Sequence, residues 1–569
     1  MSLFGSIQMG GNTLQAMQIG LQVVGNNIAN ASTPGYIRQE AVYLPAGVQN
    51  NGKLILGLGV QVDSIVQKLD KFVQARLIGA KADRANSEVQ EGVYKDLETL
   101  LNELSDKTDL SGAFTDFFKS VDEVLKVPND AGTRNLAVGK GMSLTENINN
   151  LYSRALDIKT QLDDRVTAMS DEINNLAETI RQLNVQIASS EVGDGGSSEA
   201  GGLRVQRQLA VDRLSEIVNI HVEEQPNGGL SIGVGGELLV FEGSRQEVDV
   251  DRVSGEGAST GYIEFSRSHG KLEANSGELG GLYIARDQIV TNFIGDIDNL
   301  ASTLAFEFNK LYSQGQGLTG FQNLTTNNVV NDLNAPLDAA GLPFTPNNGY
   351  FKISVRSREA PEDANTTTIN VDLNGFGEDT SLNDLASQLD AIDGITASVT
   401  QVGQLQIKAD SPDIDFSFSE DNSGVLAALG LNTFFTGSTA ATLGVNDELK
   451  GISNAGKFAA SLDGIGQGSG NAERLSSFFD RPLDVVGGAS IADMYDQTIN
   501  SITQGSSVSK SVAEGYRTFE DTLEGQKQAV SGVSIDEEAV KMLTFQRIFQ
   551  ATAKYIQTIS DMLDMLVKI

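Results

Sequence analysis

Apolar residues at the start of the chain recur in steps of four and three. Leu3, Ile7, Leu14, Met17, Leu21, Val24 and Ile28 fall on one seam with Gly10 as its gap, a heptad rhythm that predicts a helix offering a narrow stripe to a partner helix. The end of the chain repeats the pattern. Met542, Phe549, Ile556 and Leu563 recur every seven residues, and Phe545, Thr552, Ile559 and Leu566 follow three positions later. Ile548, Tyr555, Met562 and Ile569 widen that stripe on one flank, so this face is broad enough for more than one neighbour. Ser534 or Asp536, followed by Glu537 and Glu538, supplies the start signal of the closing helix. Two stripes of this width cannot alone offset the entropy of ordering both ends. The expectation is that the ends are mobile in an isolated copy and gain burial from neighbouring copies.

Between the ends the pattern reads as helical from Val60 to Lys126, through Leu69, Phe72, Val73, Leu77, Leu97, Leu100, Leu101 and Leu104. Val127-Pro128 breaks it. Leu162, Met169, Leu176 and Leu183 then interleave with Val166, Ile173, Ile180 and Ile187, predicting a long helix whose partners are 203–219, 278–312 and 471–525 in an elongated bundle. The stretch "GDGGSSEAGG" at Gly193–Gly202 reads as a helix–helix connection. Residues 221–275 read as a small β excursion around the turn "PNGG". Residues 321–450 are rich in Thr, Asn, Asp and Gly, with short strands and a helix at Leu382–Leu389, and predict an inserted mixed β domain. The fold class is therefore mainly α with β insertions. Its parts are a terminal coiled-coil domain (1–62 and 526–569), a helical bundle (63–320 and 451–525) and the outward-facing insertion (321–450).

Charge sharpens the reading of the first segment. The chain has 41 Lys and Arg against 75 Asp and Glu, a net charge of −34, which makes nucleic acid and anionic membrane surfaces poor partners. Yet Met1 to Ile37 holds no charged side chain. A helix wetted on its outer face normally carries charge there, so this one is read as wrapped by protein through neutral polar contacts. It ends in "NNIANASTPGYIRQ" at Asn26–Gln39. Asn26, Asn27 and Asn30 suit a helix exit by bonding their own backbone. Thr33, biased to extended geometry by Pro34, leads into a type II turn at Pro34-Gly35, and Tyr36 and Ile37 begin an extended segment.

The chemistry of catalysis is scarce. Cysteine is absent and His221 and His269 are the two histidines, which leaves little material for a thiol, a zinc centre or a histidine triad. "NVDLNGFGEDTS" at Asn370–Ser381 partly matches a calcium loop but has Asn370 first and Ser381 twelfth, without the bidentate Glu. "GIGQGSG" at Gly464–Gly470 lacks a P-loop lysine. "DSPDIDFSFSED" at Asp410–Asp421 alternates Ile414, Phe416 and Phe418 with polar residues, an ordinary strand with a solvated face. No enzyme, cofactor or metal site is expected. No apolar run is long enough for a membrane span, and no charged n-region precedes an apolar run near the start, so any export leaves the N-terminus uncleaved.

The run "NNIANASTPGY" closely resembles the N-terminal signature of the bacterial flagellar rod, hook and hook-associated proteins. The C-terminal run "SIDEEAVKMLTFQRIFQATAKYIQTISDMLDMLVKI" and "ELGGLYIARDQIV" at Glu278–Val290 are similar to the longer of the two junction subunits between hook and filament. That resemblance implies a secreted structural subunit of a tubular layer, built by coupled folding and polymerisation of paired terminal helices. It implies self-association, with the hook protein below and the second hook-associated (junction) protein above. It also implies a cytoplasmic export chaperone on Phe545, Ile548, Phe549, Tyr555, Ile556, Ile559 and Met562. A hook or distal rod subunit is the alternative, mostly β between its ends. A polysaccharide hydrolase, or an adhesin or glycan-binding role of the β insertion, are readings of other classes.

Overall fold

The computed structural model describes residues 3–51, 54–103, 110–193, 199–254, 259–359 and 364–568. The chain is 55% helical, the predominantly helical outcome that separates a junction subunit from a largely β hook or rod subunit. Leu104, much of the 193–202 connection and Ile569 lie outside the described residues. Two compact units are present, Met1–Val93 with Thr160–Arg286 and Ser507–Ile569, and Tyr94–Lys159 with Asp287–Ser506.

In the first unit the terminal helices span Leu3–Ala29 and Ile535–Val567. After the opening helix the chain forms an antiparallel ribbon, Gln39–Pro45 with Val60–Gln67, and a second hairpin of Val48–Asn51 with Leu54–Gly57. The helical reading from Val60 is therefore corrected. "VQVDSIVQ" alternates with period two and forms a strand, and the helix begins at Lys71, where Asp70 Oδ1 accepts from the Phe72 and Val73 backbone N–H groups. The long helix Ala131–Gly193 carries the expected seam. Val166, Ile173, Ile180 and Ile187 are fully buried. Asn174 Nδ2 donates to Val248 O (2.8 Å) and Asn184 Nδ2 to Leu230 O (2.8 Å), holding the β excursion against the helix. That excursion is a four-stranded meander over 221–245 and the hairpin Val248–Ser254 with Ser259–Phe265. Helix Lys71–Glu103 is tied to Ile491–Ser531 by Arg517 on Glu88 and Glu91 (both 2.7 Å) and by Arg84 on Glu520.

The second unit has an aromatic core in which Phe114, Phe117, Phe308, Tyr312, Phe434, Phe458 and Phe478 are fully buried. The region 471–525 is not one helix. A short helix at Gly470–Ser476 is followed by irregular chain through Pro482 and Gly487-Gly488 before the helix from Ile491. The β insertion carries two three-stranded sheets and helix Leu382–Asp390, capped by reciprocal bonds between Ser381 and Asp384. Its separate apolar core runs from Phe321 to Leu431. Phe434 and Phe435 pack instead on Phe117 and Phe308. The strand Ile414–Ser419 corrects the solvated-face reading, because Asp415 and Ser417 are buried as well as the phenylalanines. Asp415 is compensated by Arg356 Nε at 2.7 Å, the pairing a buried carboxylate needs.

Candidate functional site

The opening helix forms because its seam is continuous and nothing before Asn26 interrupts it. It packs antiparallel on the closing helix. Gly10, the gap in the seam, is where Ile556 sits: a Cβ there would lie 2.5 Å from Ile556 Cγ1. A Cβ at Gly20 would run into the Tyr43 hydroxyl and lie 3.1 Å from the Phe545 ring, the two rings being 6.1 Å apart. These glycines are notches that let bulky side chains approach the helix axis.

Of the expected N-terminal seam, Met17 and Val24 are buried, while Leu3, Ile7, Leu14, Leu21 and Ile28 are half-buried. Burial also takes in Gly10, Ala16, Gly20, Val23 and Asn27; apart from Val23 these are small or polar positions that an apolar pattern does not register. On the closing helix, Met542, Phe545, Phe549, Ile556 and Leu563 are half-buried and Ile559 is buried, so the primary seam faces inward. The flank is open. Ile548, Tyr555 and Met562 are exposed, as are Val540 (64%) and Leu543 (56%). Leu566, expected on the seam, is 59% exposed because the opening helix does not cover the end of the closing one.

The motif closes this pair by a polar joint. Asn27 is fully buried and uses its whole amide. Its Nδ2 donates to Glu538 Oε2 and Gln39 O (both 2.9 Å), and its Oδ1 accepts from Tyr36 OH and Gln39 N (both 3.0 Å). Glu538, buried, is met by Arg38 Nη2 at 2.9 Å, while Arg38 Nη1 reaches Glu537 at 3.1 Å. Burial pushes the Tyr36 phenol up, with the Glu538 charge adding to it. The Arg38 backbone N–H donates to Ser531 O and its carbonyl accepts from Lys68 N, so one residue ties the motif, the ribbon and the helix elbow at 532–534.

Within the motif, Asn27 differs from its neighbours. Asn30 Nδ2 donates to Asn26 O (2.9 Å) and Asn26 Oδ1 (3.0 Å), and Thr33 Oγ1 to Asn30 Oδ1 (3.3 Å). These are the local bonds expected of a helix exit. Asn27 instead reaches across the chain, which corrects the local reading of its side chain. The Tyr36 N–H bonds to Thr33 O across Pro34-Gly35. Gly35 has φ +71° and faces Leu209, 2.7 Å from a Cβ that any other residue would place there. Arg38, Glu538 and Gly20 were not singled out as site residues by the sequence reading. The available signal was Arg38 as the first charge after a neutral stretch, and Glu538 in the first turn of the facing helix.

A cavity of about 560 Å3 adjoins the turn, lined by Thr33, Pro34, Gly35, Arg38, Lys527 and Glu537 among others. Among the described residues, no cluster of His, Asp and Glu is placed to hold a metal ion, and no helix is long and apolar enough to cross a membrane.

Comparison with known proteins agrees with this architecture. Residues 94–326 match the model of the flagellar hook-associated protein FlgK helical domain. Residues 7–36 match the flagella basal body rod protein model, and 526–569 the C-terminal model of the flagellar basal body rod FlgEFG proteins. The chain is 25% identical to flagellar hook-associated protein 1 of Escherichia coli, over 98% of both chains. It is 27% identical to that of Bacillus subtilis over 56% of this chain and 69% of the relative. In fold it is similar to the flagellar hook junction protein FlgK of Burkholderia pseudomallei, with TM-score 0.50 and 14% identity over 80% of this chain and 100% of the other. With terminal helices joined through the motif and family matches at both ends and in the helical region between, the chain is similar along nearly its whole length to the bacterial flagellar hook-associated protein 1.

Proposed function

We propose that the chain is a structural subunit of the bacterial flagellum at the junction of hook and filament, assembled through its paired terminal helices. One observation carries this reading: the closing helix buries Glu538 and Ile559 and leaves an apolar flank of Val540, Leu543, Ile548, Tyr555 and Met562 in water. Stripes of that extent on a folded chain mark protein interfaces. The flank is free for sister copies in a tubular layer, with 1–62 and 526–569 as its inner part. The hook protein and the second junction protein are its axial neighbours, and an export chaperone covers the same flank before secretion. Export proceeds without a cleaved signal peptide, and the protein performs no catalysis.

The test replaces Ile548, Tyr555 and Met562 together by Arg. These positions are exposed, so the isolated chain keeps its melting temperature while filament no longer attaches to hook. Attachment that survives this change, or survives separate deletion of 1–30 and of 540–569, overturns the assembly model.

A further inference from the structure

A second cavity, of about 210 Å3, lies in the first unit just beyond the motif turn. Its walls include Ile37, Ile78 and Ile220, all buried, and its polar lining includes Gln74 and Arg207. Arg207 is 3% exposed. Its Nη1 donates to Gly228 O (2.7 Å) and Asn184 Oδ1 (2.9 Å), both neutral. Its Nε and Nη2 have no protein acceptor among the described residues. The nearby carboxylates are already taken: Arg204 holds Glu191 (2.7 Å) and Glu224 (2.6 Å), and Lys71 shares Glu224. Burial, with Arg204 adding repulsion, outweighs the Glu224 and Glu191 charges and pushes the Arg207 guanidinium down to about 10. Gln74 is 6% exposed, and its Nε2 is committed to Asp212 Oδ1 (3.3 Å) while its Oε1 has no partner. A buried guanidinium with two unused N–H donors and an orphaned amide oxygen are both costly to maintain. Arg207 and Gln74 line one cavity, in which Ile37, Ile78 and Ile220 form an apolar wall and the Lys71–Glu224–Arg204 ion pairs form a polar one.

We propose that this cavity binds a small aliphatic carboxylate, its carboxyl group on the Arg207 guanidinium and its alkyl chain against Ile37, Ile78 and Ile220. A hydroxyl or amino group on the ligand would supply the donor that Gln74 Oε1 lacks. The cavity is too small for a drug-sized molecule, and an alkyl acid of about eight heavy atoms fits it. The proposal does not depend on how copies assemble. Ile37 adjoins Arg38, so occupancy stiffens the joint between the terminal helices.

The experiment titrates the full-length chain with 4-methylpentanoate and, separately, with 4-methylpentan-1-ol, read by ligand saturation-transfer NMR and calorimetry. The acid binds at least about 10-fold more tightly than the alcohol, the margin expected of a charge-assisted hydrogen bond. Arg207→Gln removes that margin. Because Arg207 is buried, a second variant guards against misfolding: Ala75→Trp, at an exposed lining position, plugs the mouth, keeps the melting temperature and abolishes binding. Equal binding of acid and alcohol, unchanged binding in Ala75→Trp, or no binding of either probe at millimolar concentration overturns the proposal. Capture of an acidic peptide but not of the free acid overturns it too, and makes the occupant a side chain of a neighbouring protein.

Discussion

Two helices of this molecule use apolar side chains in opposite ways. Leu110–Lys126 is 17 residues long and buries Leu110, Phe114, Phe117, Phe118, Val121 and Val124, packed ring to ring on Phe308, Phe434 and Phe479. Ile535–Val567 is 33 residues long, and Ile559 is its buried apolar side chain. The first helix is finished by its own chain. The second is half finished, with one stripe on the opening helix and one in water. Apolar content alone does not separate a core helix from an assembly helix; what separates them is how much of the stripe the same chain covers.

The largest effect that would test this contrast is in the core. Phe117→Ala should cost about 3–5 kcal/mol, measured by denaturant unfolding, whereas Tyr555→Ala should stay within about 0.5 kcal/mol in the isolated chain. A comparable loss from Tyr555→Ala would break the distinction. Next comes the polar joint. Asn27→Ala leaves Glu538 and the Gln39 backbone short of partners, and should cost about 2–4 kcal/mol locally, read as lost hydrogen-exchange protection in both terminal helices with the Phe117 region unchanged. Smaller again, Gly10→Val forces Ile556 outward at about 1–3 kcal/mol, and a compensating Ile556→Ala restores part of the loss.

The smallest effect lies in the β insertion, which is finished like the core. Ser381→Ala removes one half of a capping box and should cost about 1 kcal/mol. The Ser381 hydroxyl and backbone N–H hold the Asp384 carboxyl below its usual range. Its contribution is therefore present above the ordinary carboxylate pKa of about 4 and is lost as pH falls through the lower folded value. Acid titration of Ser381→Ala should show a shallower loss than the parent chain.

Helices with sustained 4-3 seams were legible, because a period of three to four over several turns has few other solutions: Leu162 to Ile187 reads the same way in sequence and structure. So does the helix of the insertion, expected at Leu382–Leu389 and found at Leu382–Asp390. The strand Val60–Gln67 was lost because its alternation runs directly into the Leu69–Leu77 helical spacing. Asp415 was misjudged because alternation predicts a face, and the second face of that strand is covered too. At the site, the seams and the Pro34-Gly35 turn were readable from short-range rules. Asn27 was not, since its partner Glu538 stands 511 residues away. No local pattern distinguishes it from Asn26 or Asn30.

The glycine notches also fix where the two terminal helices stand along each other. Gly10 and Gly20 are separated by about 15 Å of helix, and Phe545 and Ile556 by about 16.5 Å, so both large side chains seat together and sliding by one turn would unseat both. A pair indexed in this way behaves under axial pull or twist as a strut of constant length. A rotary shaft needs that property wherever one of its segments hands load to the next.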